Sequence, residues 1–107
     1  MTDNGLPPIH PGEFLREILE ELGITQAGFA RALGLPIPRI SQVLKGIRPV
    51  NAELALLFAR AFEQSPRYWL NLQAAYDLKM AEAALAGRLH NMPTLSKRGQ
   101  AARRQAE

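Results

Sequence analysis

Residues 26–45, QAGFARALGLPIPRISQVLK, read as two short helices joined by a tight turn at Gly34. Small or apolar residues fall where such a pair must pack: Phe29, Ala30, Leu33, Leu35, Ile40 and Val43. Ala30 marks the crossing point, where a long side chain would hold the helices apart. Gly34 marks the reversal, because glycine reaches positive φ without steric cost. A helix pair of this kind is a helix-turn-helix, whose second helix can lie in the DNA major groove.

The flanks supply three more helices. Pro11 can open a first helix, since first-turn N–H groups lack partners anyway. Phe14, Leu15, Ile18, Leu19 and Leu22 then repeat at helical spacing, and Gly23 stops the run. Thr25 caps the second helix, over about residues 26–33, and the third spans about residues 37–44. Asn51 caps a fourth, with Leu54, Leu57, Phe58 and Ala61 as its buried stripe, and Ser65-Pro66 opens a fifth. No segment shows the period-two alternation of a half-buried strand. The expected fold is all-α, a compact five-helix bundle with one domain over residues 11–85. Residues 1–10 are expected to form a mobile N-terminus, and residues 86–107 a flexible basic tail.

The chain has 107 residues, about half of them apolar, enough for a single core. No apolar run is long enough to span a bilayer. The start, MTDNGLPPIH, lacks the basic and apolar stretches of a secretory signal. There is no cysteine, which excludes disulfides and thiol catalysis and fits a cytoplasmic location.

The net charge is +3, but its distribution says more. Between Leu22 and Ala52 there is no acid, while Arg31, Arg39, Lys45 and Arg48 are basic. A basic block that coincides with a helix-turn-helix is what phosphate attraction requires. Acids concentrate instead at Glu13, Glu17, Glu20 and Glu21.

Candidate base-reading residues lie on the third helix. The Gln42 amide can pair with an adenine edge, Ser41 can reach a base or phosphate, and Arg39 suits guanine or a phosphate. The helix opens with Pro36-Ile37-Pro38 and has no Ser, Thr, Asp or Asn cap. Ile37 can meet a thymine methyl or pack inward, and Pro38 lies beside it. Lys45 and Arg48 suit phosphate contacts, as do Thr25 and Gln26 at the positive end of the second helix.

The fifth helix carries two apolar stripes. Tyr68, Trp69, Leu72 and Tyr76 can complete the bundle. Leu70, Ala74, Leu78, Ala81 and Leu85 form a second stripe that must be buried elsewhere. The simplest cover is the same helix of a second copy, giving a homodimer suited to palindromic DNA. The chain's own tail is the alternative cover.

No catalytic residue, metal ligand set or cofactor is expected. His10 and His90 are far apart without metal-ligand spacing, and the glycines punctuate helices rather than cradle a phosphate.

Three stretches resemble the HigA-type antitoxins of bacterial toxin–antitoxin modules, within the phage-repressor-like (lambda-repressor-like) helix-turn-helix proteins. They are HPGEFL at residues 10–15, the segment 25–46 with Arg48, and AFEQSPRYWLNLQAAYDL at residues 61–78. The Trp-Leu-Asn-Leu-Gln run is the most specific. The resemblance implies a dimeric repressor of its own promoter that also holds a small, ribosome-dependent mRNA-cleaving toxin inactive. By position, it implies phosphate contact at Gln26 and base reading at Ile37, Pro38, Ser41 and Gln42. Such a toxin is expected to be basic, which makes the acids of the first helix a candidate surface. A free-standing regulator without a toxin, and an interaction domain that has lost DNA binding, stay open as alternatives.

Overall fold

Each expected helix start is present, and most are capped by side chains the sequence offers. The computed structural model describes residues 6–96. Its helices are α1 (Pro11–Leu22), α2 (Gln26–Leu33), α3 (Ile37–Leu44), α4 (Ala52–Phe62) and α5 (Pro66–Asn91). No strand occurs among the described residues. Thr25 Oγ1 accepts from the Gly28 N–H at 3.0 Å, and Asn51 Oδ1 from Leu54 at 2.9 Å. Ser65 Oγ accepts from Arg67 at 3.2 Å. Removing such a cap costs about 1 kcal/mol. Helix α3 has no side-chain cap; Pro36 precedes it and Pro38 sits in its first turn. Gly34 ends α2 at φ 73°, the left-handed conformation that the turn requires.

The core joins all five helices. Leu15, Ile40, Val43, Leu54, Phe58 and Trp69 are fully buried. Phe29 stacks on Phe62 at 5.2 Å between centroids, and Phe58 meets Trp69 edge-on at 5.1 Å. Trp69 Nε1 donates to Gln64 Oε1 at 2.7 Å, so the indole is buried with its one polar atom satisfied.

Helix α4 corrects the expected stripe. Leu54, Ala55, Phe58 and Ala59 are buried, whereas Leu57 is half-buried and Ala61 exposed. The inward face is rotated towards the small residues Ala55 and Ala59. Leu22 is likewise exposed rather than part of the core.

The limits of the folded unit also differ from expectation. Helix α5 runs through Gly87 to Asn91, so the first residues assigned to a flexible tail are helical. At the other end, residues 6–10 lie against the bundle. Lys79 Nζ donates to the Leu6 carbonyl at 2.8 Å, and the His10 ring packs edge-on against Tyr76 at 4.9 Å. The expected mobile residues 1–5 and tail residues 97–107 lie outside the described residues.

Candidate nucleic-acid interface

Helix α3 is fixed by one face and open on the other. Ile40, Val43 and Leu44 are buried. Ile37 and Pro38 are exposed, and Ser41 and Gln42 half-buried. Ile37 keeps 48 % of its surface accessible, which decides between the two expectations for it: the side chain projects outward. Ser41 Oγ donates back to the Pro38 carbonyl at 3.2 Å and keeps its lone pairs for a partner. Lys45 is exposed at the helix end, and Arg48 is half-buried three residues on.

Arg39 is engaged elsewhere. Its Nη2 donates to Glu53 Oε1 at 2.5 Å, bracing α3 against the first turn of α4. Its Nε is buried without a hydrogen-bond partner. Arg39 is half-buried, as Ser41 and Gln42 are, but in this structure its guanidinium is turned to Glu53 rather than left open with Ile37. The pair is only partly shielded and contributes about 0–1 kcal/mol.

At α2, Gln26 is exposed beside Thr25. The Thr25 hydroxyl accepts from Gly28 and keeps its O–H to donate, beside the positive end that the first N–H groups of α2 provide.

Several contacts around α1 and α3 go beyond the sequence reading, in which His10 before Pro11 was expected only to help start α1. A Cβ on Gly12 would lie 2.0 Å from the Val43 carbonyl oxygen, so α1 and α3 approach backbone to backbone. Arg16 Nη2 donates to the Leu44 carbonyl at 3.1 Å, partnering an end carbonyl that α3 leaves unpaired. His10 Nδ1 accepts from the Gly12 N–H at 2.9 Å. Burial pushes the His10 pKa below 6.5, against the raising influence of Asp77, Glu13 and the Arg48 backbone. Gln73 Oε1 accepts from the buried Val50 N–H at 2.7 Å, and its Nε2 donates to Asp77 Oδ1 at 2.9 Å. A His-Pro-Gly run before an apolar repeat was the available signal for the first group. Gln73 closes the Trp-Leu-Asn-Leu-Gln run that carries the family resemblance, but the sequence did not show that its amide serves the Val50 N–H.

On α5, Leu70 packs partly on the chain's own core, a departure from the expected second stripe. Ala74, Leu78, Ala81 and Leu85 are exposed, with Leu78 at 57 %. Met80 and Leu89 enlarge the exposed apolar area along the same helix, and Met92 adds to it just beyond the helix end. No helix among the described residues is long and apolar enough to cross a membrane.

An open helix seated by a second one, with cations at its end, defines a helix-turn-helix protein. Residues 15–69 match the helix-turn-helix family HTH_3, and the chain belongs to it. It is a family of transcription regulators and antitoxins rather than enzymes. The chain is 44% identical to virulence-associated protein I of Dichelobacter nodosus over 80 residues, 74% of each chain. An addiction module antidote of the HigA family from Coxiella burnetii has a similar structure, with TM-score 0.82 and 38% identity over 85% of this chain and 100% of that one. The Pseudomonas aeruginosa antitoxin HigA, solved with the higBA promoter, aligns with TM-score 0.79 and 38% identity over 83% and 99%.

Proposed function

We propose that this chain is a HigA-type antitoxin that binds operator DNA in its own promoter and represses it. The open face of α3 carries the reading: Ile37, Pro38, Ser41 and Gln42 for base edges, with Lys45, Arg48, Thr25 and Gln26 for phosphates. Arg39 serves as a brace for α3. The acid-free stretch around this face supports it, because phosphate attraction supplies most of the affinity of such proteins. The similar P. aeruginosa antitoxin was solved with promoter DNA, which supports the same use of the fold here.

Ala74, Leu78, Ala81 and Leu85, with the outer part of Leu70, form the interface of a homodimer. A twofold protein reads a palindromic site with two copies of α3. The exposed acids Glu13, Glu17, Glu20 and Glu21 on α1 form the surface for a small basic toxin of the ribosome-dependent mRNA-cleaving kind. The protein acts in the cytoplasm and needs no cofactor.

A mobility-shift titration on the DNA upstream of its own gene tests the central claim. A dimer touching roughly ten phosphates gives a log–log salt slope near −9. Absence of any shift at low salt would favour an interaction domain that has lost DNA binding. Co-purification of the product of a small basic reading frame immediately upstream tests the toxin. Its absence would leave a free-standing regulator.

A further inference from the structure

The loop after α3 folds back onto one residue of that helix. The Gln42 carbonyl accepts from the N–H groups of both Ile47, at 2.9 Å, and Arg48, at 3.1 Å. The side chains then meet, with Arg48 Nε donating to Gln42 Oε1 at 3.1 Å in a partly buried contact. Three hydrogen bonds thus bind the loop to Gln42. Both residues are half-buried, which restricts independent movement of either side chain.

The bond changes what the two side chains offer to DNA. A free glutamine presents an acceptor beside a donor and so matches adenine at N6 and N7. Here the amide oxygen faces Arg48, and the amide NH2 group remains. Arg48 has turned Nε inward and retains its two Nη groups as an end-on fork of donors. One lone pair of the amide oxygen is thus taken by Arg48, and the outward chemistry of the pair is weighted towards donors. Guanine presents two acceptors, O6 and N7, whereas adenine places a donor next to its acceptor.

We propose that Gln42 and Arg48 form one composite reading unit that selects guanine, with Arg48 contacting the base and Gln42 orienting it. The inference rests on the DNA-binding role proposed above. It moves Arg48 from a phosphate contact to a base contact, and it replaces adenine by guanine opposite this part of α3. A phosphate would also accept from the Arg48 fork, but a phosphate contact carries no base preference.

Selection of bound duplexes from a randomised pool tests it on the full chain. Wild type is expected to enrich guanine at one base pair of each half-site. Arg48→Lys keeps the charge and loses the fork; Gln42→Ala loses the orienting oxygen. Both should lower the guanine preference at that same pair, by at least about fivefold. The double variant should lose little more than the stronger single one. Gln42→Glu keeps an acceptor for Arg48 and should retain guanine, at lower overall affinity. A switch to cytosine there would mean that residue 42 reads alone, and would overturn the pair. Adenine enrichment relaxed by Gln42→Ala, with Arg48→Lys changing no preference, would overturn it too. Failure of wild type to retain any duplex at low salt would remove the DNA-binding role itself, a result distinct from an altered preference.

Discussion

Gly12→Ala perturbs the point where α1 carries α3. The added Cβ would stand 2.0 Å from Val43 O, 2.9 Å from Val43 C and 3.1 Å from the Leu44 Cα. All three are backbone atoms, so no side chain can rotate away. Reaching even the 3.0 Å floor of real Cβ contacts needs a displacement of about 1 Å between the helices. Overpacking of this kind costs about 1–3 kcal/mol, and a backbone obstacle on both sides puts Gly12→Ala at the upper end. For a domain of this size, about 3 kcal/mol lowers the melting temperature by roughly 12–24 °C. The same displacement strains the Arg16 bond to the Leu44 carbonyl, which links α1 to the end of α3. Gly87→Ala is the matched control, because a Cβ there meets nothing within 4 Å. In a helix interior that change should stabilise by about 0.5–1 kcal/mol. Thermal melts followed by far-ultraviolet circular dichroism read both variants. A Gly12→Ala protein melting within about 2 °C of wild type would refute the close α1–α3 contact, since even 1 kcal/mol moves the midpoint further.

Gln73→Leu should cost about 1–3 kcal/mol in urea unfolding, because it strips the acceptor from the buried Val50 N–H. The buried neutral His10 should make stability depend on pH. Its folded pKa lies below the unfolded 6.5, so its contribution is present above pH 6.5 and is lost as pH falls through the folded value. His10→Asn keeps a capping acceptor and should flatten that part of the stability–pH curve. Leu78→Glu should convert the proposed dimer to monomers in sedimentation experiments; a monomeric wild type would refute the assigned interface. Lys45→Ala should weaken binding to all sequences alike and reduce the salt slope by about one per protomer, as seen in mobility-shift titrations.

Where local chemistry decided, the sequence was enough. Thr25, Asn51 and Ser65 are capping residues by type, and each caps a helix. Gly34 is the reversal for the same reason. Long-range geometry was not legible. The α4 stripe was rotated because Ala55 and Ala59, small rather than strongly apolar, are buried in place of Leu57 and Ala61. Arg39 looked like a base reader by type and position, yet Glu53, fourteen residues on, engages it. Gln73 stood in the Trp-Leu-Asn-Leu-Gln run, yet its role as acceptor for the Val50 N–H depends on how the fold brings that loop to α5. The outward set of Ile37, Ser41 and Gln42 was legible because the buried Ile40 and Val43 fix the phase of a short helix. The side-chain bond from Arg48 to Gln42 was not, since it depends on the path of the intervening loop.

The proposed homodimer would tie the order of the far end of α5 to abundance. Every residue from 80 to 91 is exposed in the single chain, so those turns rest on intrinsic propensity alone. A dozen unsupported residues sit at the margin of helix stability in water. Because they extend an already folded rod, they need no new nucleus, and melting would proceed turn by turn from Asn91 inward. At low protein levels this end would unravel and offer an extended strand to proteases; at high levels, the homodimer proposed above would rewind it and close that entry point. The lifetime of the molecule would then rise with its own concentration, with no separate sensor required.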